Sequence, residues 1–185
     1  MRILTILASV LLLASCGSQK LTPMQQAVAD KVLDLNPSYN EISFSRFEVV
    51  DSTTYGTEMA RRRGLFELKN AKTQDQLDKY YMAHKMKNAE AKAESLAKGR
   101  RVLSGLDSLI RAYAEHVDEI AYYDVSFDAT ITNRNQALHC DGLYAVVTPD
   151  LRVLCVVTDR KNLHKGMGTV IPGYDALLGG EPDEE

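Results

Sequence analysis

The 185-residue chain has no tryptophan, and its aromatic residues make up only 7%, which argues against a surface built to stack sugars or nucleic-acid bases. Three cysteines are too few for a disulfide-built scaffold. Neither sign of charge dominates: 22 Lys and Arg stand against 25 Asp and Glu, so bulk charge gives no reason to expect nucleic acid as a partner. The one long apolar stretch falls short of the roughly 20 residues a spanning helix needs. The motifs that announce chemistry are missing too, with no P-loop, no G-x-S-x-G, no H-E-x-x-H, no C-x-x-C and no EF-hand loop. Lys165-Gly166-Met167-Gly168 lacks the spacing of a phosphate cradle and reads as a turn. The length allows one domain, or one domain plus an appendage.

What is present begins at the amino end. Arg2 precedes a twelve-residue apolar stretch, Ile3 to Ala14, broken only by Thr5 and Ser9, which has the length of a secretory h-region. It ends in Leu13-Ala14-Ser15-Cys16. That run resembles the lipobox of bacterial lipoproteins, in which signal peptidase II cuts before the cysteine and the thiol receives a diacylglycerol. The resemblance implies a leader over residues 1–15 and lipidation at Cys16. Two or more acyl chains hold a protein to a bilayer where one does not. The mature chain would have 170 residues and a net charge of −4. Gly17, not Asp, follows the cysteine, which by resemblance to Gram-negative sorting rules implies the outer membrane. Gly17-Ser18-Gln19-Lys20 carries no acidic export signal, so the periplasmic face is expected.

Residues 16–21 form a tether. Thr22-Pro23-Met24-Gln25 then has the form of a capping box with proline at the first helical position. Met24, Val28, Val32 and Leu35 recur at helical spacing, and Asn36-Pro37 ends the helix. Residues 41–51 (Ile42, Phe44, Phe47, Val49, Val50) read as a strand whose alternation slips between Phe44 and Phe47, as a bulge would cause. From about Thr57 to Val117 no proline occurs, and Ala, Glu, Lys, Leu and Met dominate. One straight helix would be about 90 Å long, so a break is expected. His84-Lys85-Met86-Lys87 places cations at a helix end and Asn88 can cap the next helix, which gives an antiparallel hairpin; Thr73-Gln74-Asp75-Gln76 offers a competing start. Leu96, Leu103, Ile110 and Val117, with Leu106 and Tyr113, form the packing seam of the second arm. Alanines 89, 91 and 93 predict a thin tip. Arg61, Arg62 and Arg63 point different ways around a helix and read as solvated surface.

From Ile120 the period becomes two. Tyr123, Val125, Phe127, Ala129 and Ile131 alternate with polar residues, and strands follow over 137–148 and 151–158, joined at Pro149-Asp150. If Thr132 faces Ala137, then Ala129 meets Cys140, Phe127 lies over Gly142, Val125 meets Tyr144 and Tyr123 meets Val146. That register puts Asp128 across from Asp141 and Thr130 across from His139. It leaves Leu143, Ala145 and Val147 on the opposite face, so both faces need cover. The hairpin base would cover one; the N-terminal helix, the C-terminal segment or a partner would cover the other. Cys140 and Cys155 come out four or five positions apart, over about 13 Å, beyond the roughly 7 Å limit for a disulfide. Ile171-Pro172-Gly173-Tyr174 packs back onto the domain, and residues 179–185 form a disordered acidic tail.

His84, His116, His139 and His164 fall on different elements. The one constellation with chemical content is Asp128, His139 and Asp141, where paired carboxylates beside an imidazole could bind a ligand or metal or act as an acid/base pair. Asp124 lies about 13 Å along the strand and is excluded from it.

The run Tyr122-Tyr123-Asp124 through Phe127, then Leu143 through Asp150, Leu163-His164-Lys165 and Val170 through Tyr174 resembles a family of small, functionally uncharacterised lipoproteins of Bacteroidota. The resemblance covers most of the mature chain and implies no activity, cofactor or catalytic residue. One departure is Leu151, where glycine would suit a left-handed turn position. The fold class expected is α+β, one domain over 22–178, with an N-terminal helix, a long helical hairpin and a small antiparallel sheet. Its element order also matches cystatin-like architecture, by analogy alone. The expected function is a non-enzymatic envelope lipoprotein, held to the membrane through Cys16, that binds an envelope protein or acts structurally. The alternatives are a small-ligand or inhibitor module using the sheet face, and a hydrolase at Asp128, Asp141 and His139.

Overall fold

Thr22 starts the first helix as its side chain dictates. Its Oγ1 accepts from the Gln25 N–H (3.3 Å), and Gln25 Oε1 accepts from the Thr22 N–H (2.9 Å), so two orphan donors are satisfied reciprocally. The computed structural model describes residues 20–165, 167–168 and 170–179. The leader, Cys16 and the acidic tail from residue 180 onward lie outside the described residues. Helix α1 spans Pro23–Leu35 and buries Val28, Ala29 and Val32. Leu35, expected on that stripe, is exposed because the buried face turns toward Ala29 instead.

Strand β1 covers Glu41–Thr54, three residues beyond the expected end. Its register against β2 (Ile120–Thr132) slips between Phe44 and Arg46, where the broken alternation predicts a bulge. Thr54 is both the last residue of β1 and the N-cap of helix α2 (Tyr55–Met82), accepting from the Thr57 N–H at 3.3 Å. No loop separates strand from helix. The first turn is pinned to the chain entering β2, since the Tyr55 N–H donates to the Glu119 carbonyl (3.0 Å) and the Gly56 N–H to the Val117 carbonyl (2.9 Å).

The helical tract breaks where its cations predict. Helix α3 spans Met86–Ala112. Lys85 N–H donates to the Tyr80 carbonyl (2.9 Å) and His84 N–H to the Tyr81 carbonyl (3.1 Å), the bond pair of a Schellman motif. His84 occupies the left-handed position with φ +54. Asn88 does not cap α3; the Schellman turn delivers the chain directly into a helix that starts two residues earlier. The competing start fails, and Thr73 Oγ1 donates back to the Lys69 carbonyl (2.9 Å) within an unbroken helix. The seam departs from strict seven-residue spacing. Leu96 and Leu106 are buried, but Val102 takes the central place expected of Leu103. Gly99 lies so close to Asn70 that a Cβ there would meet its side chain, and this close crossing turns the stripe.

The four strands lie in the order β1-β2-β3-β4, with β3 over Ala137–Val147 and β4 over Val153–Val157, all antiparallel. The β2–β3 pairing follows the expected register from Thr132–Ala137 to Ala129–Cys140, then shifts. Asp141 and Gly142 together face Asp128, and Gly142 adopts φ +66, the left-handed position of a glycine bulge. Phe127 therefore meets Leu143, Val125 meets Ala145 and Tyr123 meets Val147. The expected pairings beyond Ala129 are one residue out, because Leu143 to Val147 is a continuous apolar run that fits either register. The bulge moves Leu143, Ala145 and Val147 onto the face of Phe127.

That face packs on α1, where Val28 and Val32 meet Val125, Phe127, Ala129 and Ile131. Phe44 and Phe47 complete it in edge-to-face contact (centroids 5.2 Å), with Phe44 also edge-on to Phe127 (5.6 Å). The opposite face meets the hairpin base and the C-terminal segment, through Met59, Val102 and Leu106 against Tyr122, Val146, Leu163 and Ile171. Helix α4 (Tyr174–Leu178) brings Tyr174 into the same core. Cys155 pairs with Val146, six positions along β3 from Cys140 and on the other face, so the two free thiols lie far apart.

Candidate functional site

The three residues singled out from the sequence do not form one site. Asp128 is held by Arg46 in a bidentate pair, with Nε donating to Oδ2 (2.7 Å) and Nη2 to Oδ1 (3.0 Å). The Gly142 N–H adds a third bond to Oδ1 (2.7 Å). The Arg46 guanidinium and that backbone donor pull the Asp128 carboxyl down to about 2. Asp141 shares the bulge opposite Asp128 with Gly142; it is exposed, and Gly142, not Asp141, supplies the β3 contact to the Asp128 carboxylate. His139 is exposed and shares a hydrogen bond with its cross-strand neighbour, Thr130 Oγ1 to Nδ1, 2.8 Å. A carboxylate with three donors serves neither as a general acid nor as a base near neutral pH. Among the described residues, no three His, Cys, Asp or Glu side chains converge to hold a metal ion.

A polar cluster that the sequence reading missed sits under the hairpin. Glu58, in the first turn of α2, is completely buried. Arg61 donates to it twice (2.7 and 2.6 Å), Arg62 Nε once (2.7 Å), and the Tyr122 hydroxyl once (3.1 Å). Burial pushes the Glu58 carboxyl up, but the bonds from Arg61 and Arg62 outweigh it, and the net shift is downward. Burial drives the Tyr122 phenol up to about 12. Arg62 Nη2 also donates to the Gly168 carbonyl (2.7 Å), and its guanidinium lies 5.2 Å from the centre of the Tyr174 ring. Arg63 leaves the other way, to Asp107 (2.9 Å). The three arginines are therefore not solvated surface. They bind the hairpin base together and to the C-terminal segment. The only trace in the sequence was Glu58 placed three and four residues before Arg61 and Arg62.

Beside this cluster, His164 Nε2 lies 3.1 Å from Asp124 Oδ2, and the imidazole rests 5.5 Å from the Tyr122 ring. Burial raises the Asp124 carboxyl, opposed by His164. The Cys155 thiol donates to the Leu163 carbonyl (3.1 Å) and is pushed up by burial, the reverse of an activated nucleophile. These groups tie together β2, β4, α2 and the C-terminal segment.

The remaining candidate is the hairpin itself. The contacts with the sheet end near Phe66 on α2 and Val102 on α3. Beyond them the buried apolar contact between the two helices is a small cluster of Leu77, Ala89 and Leu96, with Tyr80 and Ala93 at the margin. The hairpin exposes large apolar side chains: Leu65 and Leu68 near that limit on α2, and at the tip Tyr81 (47%), Met82 (75%) and Met86 (54%). Residues 55–112 hold 13 of the 22 basic residues and 7 of the 25 acidic ones, a net of +6 against −9 for the remainder. The near balance of the whole chain hides this separation. No helix among the described residues is long and apolar enough to cross a membrane. The chain matches no protein-family model, no curated protein and no solved structure.

Proposed function

We propose that the chain is an envelope lipoprotein, anchored through Cys16 to the outer membrane on its periplasmic side, that acts as a non-enzymatic binding or structural module. In this reading the hairpin is the working part, presented to a second component of the envelope. The observation that carries it is the outer half of the hairpin. The 35 residues between Phe66 and Val102 contribute nothing to either main core, yet they hold exposed Tyr81, Met82 and Met86 around the hairpin turn. Large apolar side chains gathered at one protruding point cost solubility and need a use. The polar clusters at Asp128 and Glu58 favour this reading over an enzyme, since their carboxylates are committed to arginines.

The test is a photoreactive residue placed at position 82 of the tagged full-length protein in intact cells. An adduct to a membrane-fraction component, protein or lipid, is expected. A probe at position 82 that reacts only with water would sink the reading.

A further inference from the structure

We propose that the hairpin tip docks on the surface of an anionic lipid bilayer. The proposal rests on the reading of the hairpin as a binding arm and names what the arm meets.

The chemistry of the tip is that of an interfacial anchor. Between Asp78 and Glu90 the sequence carries no carboxylate, while it carries Lys79, His84, Lys85 and Lys87. Lys79 is bridged to Asp75 (2.6 Å), which leaves Lys85 and Lys87 as the tip's unpaired lysines among the described residues. Between them lies Met86, and one turn back lie Tyr81 and Met82, all exposed. Tyrosine is favoured at the headgroup level, unbranched methionine adapts to a disordered apolar surface, and lysine keeps its ammonium among phosphates while its stem lies against acyl chains. Polybasic charge beside a few inserted apolar side chains is how peripheral segments hold anionic lipid.

Shape favours a bilayer over a folded partner. A stable protein interface takes about 800 Å² from each side. The end of a two-helix hairpin with three large apolar side chains offers a few hundred at most. A soft planar surface needs far less matching area, because charge supplies the rest.

The charge separation supplies the orientation. An anionic surface attracts the hairpin, at +6, and repels the rest of the mature chain, at −10. The molecule would therefore approach tip first. The Schellman turn at His84 holds the end of α2 to the start of α3, so exposed Tyr81, Met82 and Met86 all lie within three residues of one turn.

The experiment is vesicle flotation of the whole mature chain as its soluble Cys16→Ser form. The probes are vesicles of phosphatidylethanolamine with phosphatidylglycerol, and vesicles of phosphatidylcholine alone. Flotation with the anionic vesicles only is expected, and its loss at about 1 M salt, where the screening length is about 3 Å. Lys85→Gln and Lys87→Gln should each weaken binding about fivefold. Met82→Asp with Met86→Asp should abolish it while circular dichroism and the melting midpoint stay unchanged. Equal flotation with both vesicle types, no flotation with either, or anionic binding indifferent to all four substitutions would each overturn the assignment. If vesicles fail while the position-82 probe captures a protein in cells, the lipid assignment falls and the binding-arm reading stands.

Discussion

At the scale of single residues, left-handed backbone geometry falls on glycine at some positions and on larger residues at others. Gly142 sits at φ +66 and sets the bulge that puts Leu143, Ala145 and Val147 into the α1-side core. Leu151 sits at φ +67 in the turn that closes on Thr148, its N–H donating to the Thr148 carbonyl (2.9 Å). An L-residue pays roughly 1–2 kcal/mol there, partly offset by the chain entropy glycine loses on folding. Gly142→Ala should therefore cost about 1 kcal/mol, and Leu151→Gly should gain about 0.5–1 kcal/mol. Urea midpoints at constant slope read both, and equal signs would refute the account. His84, at φ +54, should behave like Leu151.

Two carboxylates give opposite pH dependence. Asp128 is depressed to about 2 by Arg46 and the Gly142 N–H, so the stability it contributes is complete above about pH 4 and is lost as pH falls toward 2. Asp124 is raised by burial, so its contribution is present at low pH and is lost as pH rises through its folded value. Chemical denaturation against pH should show Asp128→Asn flattening the acid limb and Asp124→Asn removing the opposing slope. A wild-type-like acid limb in Asp128→Asn would show that the Arg46 pair contributes little.

At the scale of elements, the parts legible in the sequence were those with a local cause. The Thr22 capping box, the alternation of β2, the bulge in β1 and the hairpin break each follow from residues within one turn or one strand. The Gly142 bulge was not legible, because every residue from Leu143 to Val147 is apolar and no alternation is left to break. The Glu58 cluster was hidden because an acidic residue among arginines has the same pattern on a surface as in a core. What places it inside is the tertiary meeting of α2, β2 and the segment around Gly168. Glu58→Ala should cost about 3 kcal/mol or more, since it strands two guanidiniums and a buried hydroxyl. A fall in melting midpoint no larger than that of a surface control would argue otherwise. The outer hairpin has a thinner core, so Leu77→Ala should raise amide exchange between residues 67 and 101 while leaving the base and sheet protected. Uniform acceleration across the chain would mean the hairpin is not a separate unit.

At the scale of the whole molecule, the sheet divides two apolar layers that have different jobs. The α1 side closes the fold where the chain enters, and the hairpin side anchors the arm. The candidate site is then remote from both cores, at a point about 40 Å along α2 from its base. Spin labels on the sheet and at the tip should give a narrow distance distribution, because α2 leaves β1 with no loop between them. A broad distribution would show swinging.

That root has a thermodynamic consequence. Thr54 ends a strand and starts a helix with nothing between them, and Tyr55 and Gly56 are tied to Glu119 and Val117. An arm on a flexible linker surrenders orientational freedom each time its end is captured. Here that freedom is given up once, during folding, so a docking tip would lose little of its contact energy to alignment.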